Sequence, residues 1–151
     1  MTIAGARFQT IVLGLYGLVL IALGANVALG GVETLGLQFP PAGLSAADPV
    51  AFQRHDNNVR FLGGFFAGAG IVIALSAVMA SLRPTAAVLL LMLFLGGLAR
   101  LLQPGYAVLA DPVFYVSLLA ELLLAPLFAL WLWQSGPGAA LRLKDGSGVV
   151  G

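Results

Sequence analysis

Four long apolar runs govern what this chain can become. Residues 9–29 read QTIVLGLYGLVLIALGANVAL, and comparable runs occupy 58–81, 85–103 and 113–133. As a helix, about 20 such residues cross roughly 30 Å of hydrocarbon. The remainder of the 151-residue chain cannot hide them: 60% of residues are hydrophobic and only 9% are charged. The mean hydropathy is +1.03. A soluble domain of this size could not cover that much apolar surface, so lipid has to be the solvent. The expected fold is an all-α polytopic membrane protein with four transmembrane helices in an antiparallel bundle.

The first run is read as a retained helix and not a cleaved signal. It carries only Arg7 ahead of it, exceeds a usual signal core in length and lacks an A-x-A cleavage pattern. The transmembrane domain is placed at 1–134 and a Gly-rich, flexible cytoplasmic tail at 135–151. Arg7, Arg83, Arg142 and Lys144 fall on one side of a four-span chain, which puts both termini in the cytoplasm by the positive-inside rule. Trp131 and Trp133 suit the inner interface, and Tyr106 and Tyr115 the outer one.

The turn LRPT between runs two and three is so short that they must be antiparallel neighbours, with Pro84 marking the break. The loop over 30–57 is long. Its end looks helical, with Asp48 as N-cap and Pro49 in the first helical position, so helix two should start near Pro49.

Several function classes drop out. A net charge of +1 with no basic cluster argues against nucleic acid. Without cysteine there is no disulfide, thiolate metal site or thiol chemistry, and one histidine, His55, cannot hold a metal alone. No motif for nucleotide binding or for a base-activated nucleophile is present. No catalytic residue, metal site or cofactor is assigned.

What remains is a small polar constellation. Asp56, Arg60, Gly64 and Gly68 recur at spacing four and so share one helical face, where Asp56 and Arg60 can pair. Gly64 and Gly68 form a GxxxG strip, broadened by Gly63, against which another backbone can close. Helix three carries a mirrored GGLAR, with Gly96, Gly97 and Arg100. Counted from the outer ends, both glycine pairs lie roughly 8–10 Å deep, which predicts that they meet and that the two guanidiniums converge. Glu121, alone in the fourth run, is the expected counter-charge, because a charge inside a span costs roughly 2.5–3.5 kcal/mol and normally has a partner. Ser117 sits one turn above it. Pro126 removes the donor for the carbonyl of Leu122 and should bend the helix there.

Two readings stay open. The cluster Asp56, Asn57, Asn58, Arg60, Arg100, Ser117 and Glu121 is either a salt-bridge network that fixes helix register or a site for an anionic ligand. His55 beside Asp56 is either solvated or a proton-handling group. Asn57 and Asn58 are also read as caps or interface residues, and Asn26 as a donor either into the cluster or between helices. Met79 and Met92 are read as core fillers. Phe61, Phe65, Phe66 and Phe94 either pack or face lipid, or else line an apolar pocket.

The stretches DNNVRFLGG (56–64), LGGLAR (95–100) and LAE (119–121) resemble a bacterial four-helix membrane protein family of unknown function, the domain of unknown function 4345 family. The resemblance runs over roughly residues 10 to 134 and leaves out the tail. It implies a four-helix inner-membrane architecture and no assigned activity. By layout alone the chain is also similar to DoxX-like four-helix proteins, some of which are small partners of redox complexes. The functional expectation is a non-enzymatic accessory or assembly partner of a larger membrane complex in the bacterial inner membrane, or a homo-oligomer. The competing expectation is an outward pocket, ligand-binding or enzymatic, for an anionic lipid, carboxylate or quinone-type head group.

Overall fold

The structure, a computed structural model, describes residues 3–34, 48–102 and 112–134. Helix α1 spans Ile3–Gly30 and passes into a 3-10 turn, Gly31–Thr34. Helix α2 spans Pro49–Ser76, and α3 spans Arg83–Leu101 after a short 3-10 turn, Ala80–Leu82. Helix α4 is continuous but composite: an α segment Pro112–Leu119, a π turn Ala120–Leu124 and an α segment Ala125–Gln134. The described residues contain no strand. All four helices are long and apolar enough to cross a membrane. The tail 135–151, the loop residues 35–47 and the connection 103–111 with Tyr106 lie outside the described residues.

Local chemistry sets the ends. Asp48 accepts a hydrogen bond from the Ala51 amide at 2.9 Å, and Pro49 opens α2 where its missing N–H costs nothing. Helix two therefore begins at its expected cap, well before residue 58. Asp48→Ala should cost about 1 kcal/mol, read as fraying at the start of α2 by amide hydrogen exchange. Pro84 is the second residue of α3, again within the tolerant first turn.

Packing divides the bundle into two antiparallel pairs, α1 along α2 and α3 along α4, with a shorter contact between α2 and α3. The first pair is a backbone-to-backbone contact. Gly17 and Gly24 on α1 face Gly70 and Gly63 on α2, and both sets repeat every seven residues. A Cβ at Gly17 would lie 2.6 Å from the Ala74 nitrogen, and one at Gly24 would lie 2.3 Å from the Ala67 nitrogen. A seven-residue repeat holds one face toward its partner over many turns, and small residues let the main chains close.

The two pairs join near the turn end, where α2 hands over to α3. Leu13, Ile73, Ala86, Leu90, Leu93, Ala125 and Leu132 form the centre of that core, and Tyr16, Leu20, Phe66 and Phe128 pack against it. Buried Ser76 satisfies its hydroxyl by donating to the Ile73 carbonyl at 2.6 Å. Leucines on every helix point outward instead, among them Leu18, Leu95, Leu127 and Leu130. The methionines depart from expectation. Met79 and Met92 are each 47% exposed, because Met79 sits in the connecting turn and Met92 lies off the buried Leu90–Leu93 face. Phe61 also faces outward, whereas Phe66 packs on the core.

Candidate functional site

The polar constellation resolves into two separate ion pairs. The first closes the end of α1. Gly31 adopts φ +65°, a left-handed conformation that stops the helix, and the next amide, of Val32, donates to Asp56 Oδ1 at 2.9 Å. Arg60 Nε donates to Asp56 Oδ2 at 2.7 Å, the predicted i,i+4 pair. Its Nη1 donates to the carbonyl of Ala28 at 3.3 Å and to that of Leu29. A helix C-terminus leaves its last carbonyls without intrahelical donors and carries partial negative charge, so a guanidinium there serves as a cap. The pair is thus a clasp between α2 and the end of α1.

Gly31→Ala tests that clasp. A side chain there is strained by the left-handed backbone, and its Cβ would stand 1.9 Å from Asp56 Oδ1. The expected loss is about 2 kcal/mol in equilibrium unfolding, from strain and a displaced carboxylate together.

The second pair ties α3 to α4. Arg100 Nη1 donates to Glu121 Oε1 at 2.6 Å, with the side chains 33% and 16% exposed. Gly97 permits this approach, since a Cβ there would lie 2.8 Å from Glu121 Cβ and 3.3 Å from Oε2. Glu121 Oε2 is buried and has no hydrogen-bond partner. Leaving such an atom unpaired costs about 1–3 kcal/mol, more when charged. Tyr16 of α1 packs edge-on to Phe128 of α4, ring centroids 5.1 Å apart.

The expected meeting of the glycine pairs is not made. Gly63 packs on α1 and Gly97 on α4, while Gly64, Gly68 and Gly96 have nothing within 4 Å of where a side chain would begin. Nor do the two arginines share one counter-charge. Each guanidinium has its own carboxylate, because Asp56 lies one turn from Arg60 on the same helix and α2 is seated along α1. Asn57, Asn58 and His55 are exposed on α2, as is Asn26 near the end of α1. Ser117 is half-buried, one turn before Glu121.

The profile of one family, described as a domain of unknown function (DUF4345), matches residues 8–132. The chain belongs to this family. No curated protein and no solved structure matches it. The match takes in both ion pairs and every packing glycine, so this DUF4345 chain carries its whole constellation within the shared region. Sequence reasoning missed the packing of Tyr16 against Phe128 in the DUF4345 bundle, and the π turn. Pro126 signalled a disturbance, but the outcome is an inserted residue: the Ala125 amide bonds to the Ala120 carbonyl, five residues back. Such π turns are rare and frequent at functional sites.

Proposed function

We propose that this small four-helix membrane protein serves as a non-enzymatic accessory or assembly partner of a larger complex in the bacterial inner membrane, with both termini cytoplasmic. The observation that carries this reading is that the guanidiniums of Arg60 and Arg100 are both spent internally, one capping α1 and one bridging α3 to α4. Their chemistry builds the bundle. What α2 and α3 turn outward is bare glycine backbone at Gly64, Gly68 and Gly96 among apolar side chains, a surface onto which another helix can close.

The test is native mass spectrometry of the protein extracted from its host in a native lipid patch. A stoichiometric larger partner is expected, lost on Gly64→Leu/Gly68→Leu while the bundle itself stays folded. Recovery only as a free monomer or homo-oligomer would overturn the reading.

One observation favours a second reading. The Arg100–Glu121 pair with its unpaired Oε2 suits a small head group, whether an anionic lipid or carboxylate drawn to Arg100 or a quinone-type group whose reduced form donates to Oε2. Bound small molecules that survive extraction from wild type and vanish from Arg100→Ala would support it.

A further inference from the structure

We propose that Glu121 and the π turn around it bind a neutral, hydroxyl-bearing amphiphile from the bilayer, held by a hydrogen bond donated to Glu121. This rests on the second reading above and names its ligand class.

The site has a surplus of acceptors. Arg100 occupies Oε1 at 2.6 Å, and Oε2 is buried without a partner. The main chain of the same residue is short of a donor too. In an α-helix the Glu121 carbonyl would accept from the Ala125 amide, but that amide is turned to Ala120. The following residue, which could serve the carbonyl in π geometry, is Pro126 and has no N–H. One residue thus presents a side-chain oxygen and a main-chain oxygen, neither with a main-chain donor, in an apolar interior. A missing donor is what a ligand would supply.

That deficit selects among ligands. A phosphate or carboxylate head group brings further acceptors and a charge that Arg100, already matched by Glu121, does not require. An ammonium would leave a surplus of positive charge. A hydroxyl supplies the donor at no net charge.

Entry is possible at α3. Gly97 puts no side chain over Oε2, and Gly96 beside it opens to the outside.

The full chain in lipid nanodiscs would be titrated with para-octylphenol, para-octylanisole and octanoate, and saturable binding read from the unfolding temperature. The phenol should bind about tenfold more tightly than its methyl ether, the difference of one donated hydrogen bond. Pro126→Ala offers the main-chain oxygen an N–H, and Glu121→Leu removes Oε2; the phenol has a single O–H, so the tenfold preference over the ether should be lost in one of the two variants. Equal binding of phenol and ether to wild type, or a preference that survives in both variants, would overturn the proposal. Binding of octanoate without the phenol would overturn it too but leave the head-group pocket standing. If none of the three binds, both fall.

Discussion

Gly63→Leu is expected to prevent the α1–α2 pair from assembling, whereas Gly64→Leu, one residue further on, is expected to leave it intact. At position 63 a Cβ would meet the Ala28 nitrogen at 2.4 Å and the Gly24 oxygen at 2.8 Å. Both are main-chain atoms of the neighbouring helix. Overpacking in an ordinary core costs about 1–3 kcal/mol because side chains rearrange. Here no flexible side chain can give way, and the helices must part along their length. A loss of about 3 kcal/mol or more follows, a large share of the about 5–15 kcal/mol that holds a typical domain. Position 64 has nothing within 4 Å, and leucine is the better helix former by roughly half to one kcal/mol. Unfolding in a mild detergent titrated with a denaturing one should separate the two variants. Similar midpoints would mean that the glycine face does not hold the pair.

The same two positions explain how far the sequence could be read. The helices were legible because each apolar run is long enough to cross a bilayer and because Asp48–Pro49 is a local start signal. The partner of α2 was not. Its glycines carry two superimposed patterns, Gly64 and Gly68 at spacing four and Gly63 and Gly70 at spacing seven. Each puts small residues on one face, and only the second is packed. The matching repeat, Gly17 and Gly24, lies in α1 across a long loop. The short LRPT turn drew attention to α3 instead. A tight turn constrains only the ends beside it; close contact along the helices goes to the pair whose backbones fit.

Within the site, Asp56–Arg60 followed from i,i+4 spacing, but its target did not. The cap on α1 depends on the left-handed backbone at Gly31, which only the folded chain displays. Arg100 and Glu121 were legible for an energetic reason, since isolated charges in apolar runs have to find each other. The π turn was half legible. Pro126 announced a lost donor, yet whether a helix answers by bending or by inserting a residue depends on what it packs against.

Arg100→Met is expected to cost more than Glu121→Leu, and the double variant less than either. Removing one member of a buried pair typically costs about 3–5 kcal/mol, because a charge is left uncompensated; replacing both by apolar groups is often neutral. The pair here is only partly buried, which lowers those figures and makes them unequal. Arg100, 33% exposed, has a long stem on the last turn of α3 and can carry its charge toward the interface once Glu121 is gone. Glu121, 16% exposed and held against Gly97, has no comparable escape and would be left with both oxygens unpaired. Expected losses are about 2–4 kcal/mol for Arg100→Met and about 1–2 kcal/mol for Glu121→Leu, with the double variant within about 1 kcal/mol of wild type. A double-mutant cycle by equilibrium unfolding gives the coupling directly, and simple additivity would show that the two side chains do not act as a pair. A double variant that folds as well as wild type would also mean that stability alone does not account for the pair.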